Sequence, residues 1–259
     1  MQQFIVDAFE SGPFTGNPAA VIPLQDWLLD DVMQKIAGEN NLSETAFFAP
    51  GEEGYDLRWF TPTTEVDLCG HATLASAHVI FEELELDIER IEFSTRSGML
   101  GVTRADTGLA LNFPAVEAIP AAAPAGLFDA LGGEGEVFRA AGDYLVVFPT
   151  ESDVLDCNPD LASLEKIECR GICITAAGAE VDFVSRVFAP QVGIDEDPAT
   201  GSTHCVLAPY WGEQLDKLQL DSLQASARTG RFACTWLPDA GRVEIAGSCR
   251  TFSRGTIEI

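Results

Sequence analysis

Two short glycine turns, one in each half of the 259-residue chain, constrain its fold more than any other feature. The first comprises residues 68–73 (LCGHAT) and the second residues 197–203 (DPATGST). After the first turn, residues 72–84 are rich in alanine and apolar on almost every face, and residues 205–211 after the second turn are similar. Such runs are typical of helices that are enclosed by protein on all sides. Each turn is therefore predicted to begin a central helix.

The start of a helix is a binding site for small anions. Its first backbone N–H groups have no partner within the helix, and the helix dipole places a partial positive charge there. If the two glycine turns face each other, their N–H groups could together bind one small carboxylate. The sequence therefore predicts a substrate pocket to which both halves contribute.

The charge of the chain excludes some partners. With 15 basic and 41 acidic residues, the net charge is −26, so a nucleic-acid partner is not expected. No apolar stretch reaches the roughly 20 residues that span a bilayer, and the first residues do not resemble a signal peptide. We therefore expect a cytoplasmic protein without a membrane partner. The 12 arginines against 3 lysines are consistent with a salt-rich habitat or with a merely well-solvated surface.

The cysteines and histidines do not predict a metal centre. Seven cysteines without a paired spacing do not form a disulfide framework. Cys169 and Cys173 have no second pair to complete a zinc site, and His71 and His78 could share a helix face but have no third ligand. No metal and no cofactor are predicted.

Strands dominate the predicted secondary structure, so the expected class is α+β. One early helix is predicted to begin with Asp30 as its cap and to bury Val32, Met33, Ile36 and Ala37. The Ala-, Gly- and Pro-rich residues 118–135 mark the expected domain junction. We predict domains over residues 1–114 and 115–249, with a strand at 250–259 that returns to the first domain. Their similar organisation suggests duplication. Strands are predicted at 4–9, 19–23, 45–49, 55–60, 91–96, 99–104, 108–113, 144–148, 172–176, 182–188, 232–237, 243–245 and 250–259.

Five sequence blocks in order resemble the phenazine-biosynthesis isomerase-like (PhzF) family. The blocks, together with a closing Gly247 and GTI at 255–257, are GNPAAV (16–21), NLSETAF (41–47), LRWFTP (57–62), LCGHATLA (68–75) and EDPATGS (196–202). The resemblance implies a diaminopimelate-epimerase-like fold, in which two pseudo-equivalent domains each wrap a curved mixed sheet around a central helix. It also implies an active site in the cleft between the domains and, since similar proteins are often homodimers, a homodimer.

The resemblance also implies roles for individual residues. Glu44 would shuttle a proton, and His71 would donate a hydrogen bond to a developing enolate or protonate it. Asp197 would hold an amino or hydroxyl group of the substrate, and Ser202 a carboxylate. The remaining substrate-binding residues implied by the matching blocks are Gly70, Gly201, Thr200, Asn17, Ser43 and Thr73. From the residues alone, Glu44 could instead be a surface charge, His71 a structural histidine and Asp197 a helix cap.

A related chemistry can be compared directly. Diaminopimelate epimerases and proline racemases use two cysteines, each placed just before the glycine of a helix turn. Cys69 occupies the first place, but Pro198 and Ala199 occupy the second, and Cys205 lies beyond Gly201. The chain also departs from the PhzF pattern, with Thr203 where alanine is usual and Thr229 in a segment that usually reads Arg-Gly-Gly.

The sequence thus predicts an isomerase that needs no cofactor and moves a proton on a small carboxylic acid, either an amino acid or a hydroxy acid. Glu44 would act as both acid and base. Two alternatives stay open: a two-base racemase or epimerase that pairs Glu44 with Cys69 or His71, and an inactive protein that only binds a small molecule.

Overall fold

The computed structural model describes residues 1–84 and 88–259, and it is an α+β structure dominated by strands. The predicted class is confirmed. The chain divides into two compact units. Unit 1 comprises Met1–Asn112 and Ala246–Ile259, and unit 2 comprises Phe113–Ile245.

Unit 1 is built on a mixed sheet. Strand β1 pairs antiparallel with β2, β2 parallel with β3, β3 antiparallel with β4, β4 parallel with β6, and β6 antiparallel with β7. The long last strand, β17, pairs antiparallel with β1. The strands are β1 (Gln2–Glu10), β2 (Asn17–Pro23), β3 (Glu44–Pro50), β4 (Tyr55–Phe60), β5 (Glu65–Val66), β6 (Arg90–Thr95), β7 (Gly98–Ala105), β8 (Gly108–Pro114) and β17 (Arg242–Thr256), which begins in unit 2.

Unit 2 repeats this order of pairings. Strand β10 pairs antiparallel with β11, β11 parallel with β12, β12 antiparallel with β13, β13 parallel with β15, and β15 antiparallel with β16. The same sequence of parallel and antiparallel partners in both units supports the predicted duplication. The strands are β9 (Ile119–Pro120), β10 (Glu136–Ala140), β11 (Asp143–Val147), β12 (Ile172–Ala177), β13 (Phe183–Ala189), β14 (Ile194–Asp197), β15 (Gln219–Gln224) and β16 (Gly230–Leu237).

Each unit has one helix that starts at a predicted glycine turn. The helices are α1 (Asp30–Asn40), α2 (Gly70–His78), α3 (Leu127–Leu131), α4 (Glu151–Leu155), α5 (Leu161–Leu164) and α6 (Gly201–Leu215), with a π-helical turn at Val79–Glu83 and 3₁₀ turns at Pro190–Val192 and Pro238–Ala240. Helices α2 and α6 are therefore confirmed as elements. The wrapping of each sheet around its helix stays a prediction.

Helix α2 is buried on all sides over residues 71–77 and packs against β1, β2 and β3. Alanine favours the helix and leaves no polar group to satisfy. Both of its buried hydroxyl groups keep a hydrogen bond, because Thr73 donates to the Cys69 carbonyl (2.6 Å) and Ser76 to the Ala72 carbonyl (2.8 Å). In unit 2, α6 packs against β15 and β16.

The start of α1 differs from the prediction. Leu29 is the cap residue, without a side-chain cap, and Asp30 is the first helical residue. Its carboxylate accepts a hydrogen bond from Arg58 Nη1 (2.9 Å), which places a negative charge in the first turn, where the helix dipole favours it. Met33, Ile36 and Ala37 are buried as predicted, whereas Val32 is half-buried.

Two other predictions are corrected. Residues 118–135, predicted as a domain junction, lie within unit 2 and contain β9 and α3. The strands predicted at 243–245 and 250–259 are one strand, β17, whose pairing with β1 shifts register at two places. One shift passes over Phe252 of β17 and the other over Phe9 of β1, and the pairing continues to Cys249 and Ser248, between the two predicted strands.

All seven cysteines are free in the structure. No helix in the described part of the chain is both long and apolar enough to cross a membrane.

Candidate active site

The candidate site of unit 1 lies where two parallel strands begin beside the start of α2. Asn17 is the first residue of β2, and Glu44 is the first residue of β3. The register pairs Ala19 with Glu44, and Asn17 lies two residues before Ala19 on the same face of its strand. His71 follows in the first turn of α2. Long-range pairing therefore brings together three residues from separate sequence blocks.

Glu44 and His71 form a close buried contact. Glu44 Oε2 lies 3.1 Å from His71 Nε2, and the two side chains are only 12% and 8% exposed. The distance is that of an ion pair, but neither atom meets hydrogen-bond geometry with a described residue. The Glu44 carboxylate therefore lies next to the His71 ring, which can carry a positive charge, but its Oε2 does not accept an aligned hydrogen bond from that ring. This arrangement leaves an oxygen able to take a proton.

The other ring nitrogen of His71 faces Asn17 and Cys69. Nδ1 lies 3.3 Å from Asn17 Nδ2 and 3.5 Å from Cys69 Sγ. Burial of the ring opposes its protonation, but the hydrogen bond with Cys69 Sγ and the carboxylate of Glu44 outweigh burial and raise the pKa of His71 well above its ordinary value. An imidazole with a raised pKa can supply a proton or a strong hydrogen bond at neutral pH.

Cys69 completes the cluster as a thiol. Burial, followed by the negative charge of Glu44, raises the pKa of Cys69 to about 11, so the thiolate is scarce at neutral pH. The ligand-type atoms of Glu44, Cys69 and His71 lie within 4.8 Å of one another, and oxygen, sulfur and imidazole nitrogen all bind zinc. That there is no metal here stays a prediction.

The other unit 1 residues named by the sequence take different places. Ser43 is half-buried immediately before Glu44, and Gly70 is the half-buried first residue of α2. Thr73 is fully buried, and its hydroxyl is engaged by the Cys69 carbonyl. This geometry favours a role for Thr73 in fixing the turn rather than in direct contact with substrate.

In unit 2, the second turn lies between β14 and α6. Asp197 ends β14, and its carboxylate accepts a hydrogen bond from the Thr200 hydroxyl. Thr200, not Asp197, is the cap residue of α6, and it makes no side-chain cap. Gly201 is buried as the first helical residue, and Ser202 is half-buried beside it. The four residues are thus close in one turn, and Asp197 is not a helix cap.

Three polar side chains that the sequence reasoning missed hold this turn in place. Gln224 is fully buried; its Oε1 accepts from Thr200 N (2.8 Å), and its Nε2 donates to the Asp197 carbonyl (2.6 Å). Ser226 Oγ donates to the Pro198 carbonyl (2.7 Å). The third side chain is His204. Ser222 and Gln224 are inward-facing polar residues at alternate positions of a strand, which is the signal that could have revealed them.

His204, in its neutral form, connects the second turn to strand β15. Its Nδ1 lies 2.9 Å from the Thr200 carbonyl and its Nε2 3.0 Å from Ser222 Oγ, and its ring stacks on Phe232. Burial lowers the pKa of His204 to about 4, and the bond to Thr200 offsets this only in part. In the neutral ring, Nδ1–H donates to the carbonyl and Nε2 accepts from the serine hydroxyl.

Thr229, which stands where the PhzF pattern usually has glycine, adopts an unusual backbone conformation. Thr229 has φ +57°, a left-handed conformation that is unusual for a β-branched residue. The adjacent Gly230 lies against Ala199 of the second turn, where a Cβ would approach to 2.5 Å. Close packing against the turn therefore requires glycine at 230, while Thr229 tolerates a conformation that glycine adopts more easily.

Comparison with known proteins identifies first the fold and then the family. The fold is shared with a probable proline racemase from Agrobacterium radiobacter, with a TM-score of 0.64 at 10% identity over 100% of this chain and 93% of that one. A family model described as phenazine biosynthesis-like protein matches residues 6–255, and the chain belongs to this family.

Two closer relatives agree with this membership. A solved structure of a phenazine biosynthesis protein of the PhzF family from Enterococcus faecalis has a TM-score of 0.95 at 41% identity, covering 100% of this chain and 99% of that one. A Pseudomonas aeruginosa protein named an uncharacterized isomerase is 49% identical over 257 residues, which are 99% of this chain and 98% of the relative. The resemblance inferred from the five sequence blocks is confirmed.

Proposed function

We propose that the protein is an isomerase that needs no cofactor and moves a proton between positions of a small carboxylic acid, an amino acid or a hydroxy acid. The observation that carries the proposal is the buried contact between Glu44 Oε2 and His71 Nε2 at 3.1 Å. The name of the Pseudomonas aeruginosa relative supports the general activity.

Glu44 is proposed to take and return the proton. Its carboxylate is confined between strands and helix, where little water competes for the proton. In the forward step, the C–H bond next to an electron-withdrawing group breaks, the proton moves to Glu44, and the electron pair enters the conjugated system of the substrate. The same carboxyl group then gives the proton to another carbon. One group thus serves as base and acid.

The negative charge that develops on the substrate is proposed to be stabilised by the start of α2. The N–H groups of Gly70 and His71 have no partner within the helix, because only from Thr73 onward do the residues bond back to earlier carbonyls, and the N–H of Ala72 interacts with the Cys69 sulfur. His71 would add a hydrogen bond or a proton. Stabilisation of this kind acts mainly in the transition state and therefore raises the rate.

In unit 2, Asp197 and Ser202 are proposed to bind the amino or hydroxyl group and the carboxylate of the same substrate, with Thr200 and Gly201 beside them. The support is their placement in one turn whose backbone is fixed by Gln224. A fixed turn presents its N–H groups to a carboxylate without first having to become ordered.

A two-base racemase is the second candidate, since Cys69 touches His71 and the fold is shared with a probable proline racemase. In this candidate Glu44 pairs with Cys69 or with His71. Burial raises the pKa of Cys69 to about 11, which argues against this thiol as a base at neutral pH, but it does not argue against the pairing with His71. A protein that only binds its ligand is the third candidate.

Proton exchange distinguishes these candidates. A panel of amino and hydroxy acids is incubated with the protein in heavy water, and loss of carbon-bound protons is followed by NMR. The Glu44→Gln variant should reduce exchange by about 10²–10⁴-fold, because the amide has nearly the same shape but cannot accept the proton. The Cys69→Ala variant should change it only a few-fold.

Glu10→Gln is the matched control. Glu10 is also a buried carboxylate of unit 1, bonded to Ser248 Oγ (2.9 Å), but it is not part of the cluster, so exchange should persist. Full exchange by a folded Glu44→Gln protein would overturn the proposal. Equal losses in Cys69→Ala and Glu44→Gln would favour the two-base mechanism, and binding without any exchange would favour the inactive binder.

A further inference from the structure

A cavity in unit 2, away from the second glycine turn, contains a partly buried cation. The cavity has a volume of about 770 Å³, within the range of small-molecule sites. Among its lining residues are Arg139, Tyr144, Ser163, Lys166, Ala130 and Ile167. We propose that it is a second binding site, which takes a small molecule bearing a carboxylate or phosphate group, with that group on Arg139.

The strand register places this site on a defined face of the sheet. Arg139 of β10 pairs directly with Tyr144 of β11, so the two side chains lie on one face. The neighbouring Phe138 points to the opposite face, where its ring contacts Tyr210 of α6. Tyr144 packs with the cluster that includes residues of α3 and α5. The cavity therefore lies on the face opposite α6.

The guanidinium of Arg139 is held in place but not satisfied. Its central carbon lies 4.2 Å from the centre of the Tyr144 ring. Nη1 is buried and has no hydrogen-bond partner among the described residues. A buried donor without an acceptor is unfavourable, and a small shift of the Arg139 side chain toward the cavity would let Nη1 donate to an oxygen atom of a ligand.

Arg139 and Lys166 also stand out by charge. Most lysines and arginines of this acidic chain form ion pairs, including Arg170 with Asp143 and Arg186 with Glu196 in the same unit. Within the described residues, Arg139 and Lys166 form none, although the net charge of −26 offers many carboxylates. Among the described residues, neither cation has a carboxylate at ion-pair distance, although the charge of Lys166 contributes to the lowered pKa of Asp160.

Three carboxylates line the same cavity, but none of them forms an ion pair with Arg139. They belong to Asp129, Asp160 and Glu168. All three residues are exposed, so solvent and salt screen their charges. Asp160 already accepts hydrogen bonds from the Ser163 amide (3.2 Å) and hydroxyl (2.7 Å). A planar guanidinium stacked on a ring matches two oxygens of a carboxylate or phosphate, which gives the ligand its orientation.

The test is an NMR titration of the ¹⁵N-labelled full chain with inorganic phosphate and, separately, with malonate, in a buffer free of other multivalent anions. We expect saturable shifts of the amides around Arg139, Tyr144 and Ser163. The probe that binds more tightly shows whether the ligand of this site bears a phosphate or a carboxylate group. The Arg139→Gln variant should weaken binding at least about tenfold, and Lys166→Gln, an exposed change that leaves the fold intact, about threefold.

The matched control is Arg231→Gln. Arg231 is an exposed arginine of unit 2 that pairs with Asp221 and does not line the cavity, so affinity should be unchanged. If neither probe gives saturable shifts at the cavity in the wild-type protein, water alone hydrates Arg139 and the proposal is wrong. Unchanged affinity in both Arg139→Gln and Lys166→Gln would also overturn it. If Arg139→Gln does not fold, the wild-type shifts and Lys166→Gln decide.

Discussion

At the scale of single residues, Glu44 and His71 make each other's burial tolerable. A lone buried carboxylate loses its hydration, and a lone buried imidazolium does the same, so each would be driven to its neutral form. At 3.1 Å the two opposite charges offset that loss. Their charge states are therefore coupled, and a change at Glu44 must appear in the titration of His71.

The first prediction concerns this coupling. In Glu44→Gln, the pKa of His71 should fall toward or below its ordinary value, because a negative neighbour is lost while burial of the ring persists. The shift can be followed through the imidazole proton resonances. His78, in the same helix, has a pKa lowered mainly by burial and serves as an internal reference. An unchanged His71 titration in the variant would contradict the coupling.

The same coupling predicts the sign of a stability change. His71 has a folded-state pKa above its unfolded value of about 6.5, so its contribution is complete below that pH and is lost as pH rises through the folded-state pKa. The free energy of unfolding of the wild type, relative to Glu44→Gln, should therefore decline with rising pH. The decline is about 1.4 kcal/mol for each unit by which the substitution lowers the pKa, measured by urea unfolding. A pH-independent difference would contradict it.

At the scale of elements, the second glycine turn depends on a neighbouring strand. Gln224, in β15, satisfies both the amide of Thr200 and the carbonyl of Asp197, while the helix itself supplies no side-chain cap. The backbone of the turn is thus held by this tertiary contact together with the local bonds that Thr200 makes with Asp197 and His204. Loss of that support should affect both stability and substrate binding.

Replacement of Gln224 by methionine tests this support. The variant has a side chain of similar size but leaves buried backbone groups of the turn without partners, so the free energy of unfolding should fall by about 2–4 kcal/mol. Gln219→Met is the matched control, because Gln219 is exposed on the same strand and its loss should change stability by less than about 0.5 kcal/mol. Both are measured by urea denaturation. Equal stabilities of the two variants would show that the turn needs no support from Gln224.

At the scale of the whole molecule, charge is the dominant feature. A net charge of −26 creates repulsion throughout the surface, while the arginines and lysines neutralise carboxylates only locally. Salt weakens both the repulsion and the exposed ion pairs, but each exposed pair contributes only about 0–1 kcal/mol. The excess of like charges should therefore decide the net effect.

Added salt is accordingly predicted to stabilise the protein. From low to molar sodium chloride at neutral pH, the melting temperature should rise, most steeply below about 0.1 M, where the screening length shortens toward about 10 Å. Sucrose serves as a control for effects on the solvent that do not involve charge. A melting temperature that stays flat or falls would exclude a salt-adapted surface.

Short stretches of sequence were enough to predict the central elements. Helices α2 and α6 begin at the predicted glycine turns, and the apolar runs that follow each turn are local features of the sequence. Helix α2 is enclosed by protein as expected, whereas α6 is exposed at Glu213 and Gln214. Strands such as β4 and β12 followed from runs of apolar and β-branched residues between turns. The family followed from five short blocks in order. These features depend on residues that are near one another in the chain.

Tertiary structure alone decided the contacts between distant segments. Glu44 meets His71 because β3 pairs with β2 and α2 packs against both, and no local pattern encodes a distance across 27 positions. The same holds for Gln224 beside Thr200, for the single strand β17 and for Arg139 Nη1, which has no hydrogen-bond partner among the described residues. Pattern and propensity are properties of a window of residues, whereas register, burial and charge pairing arise only when separate windows pack together.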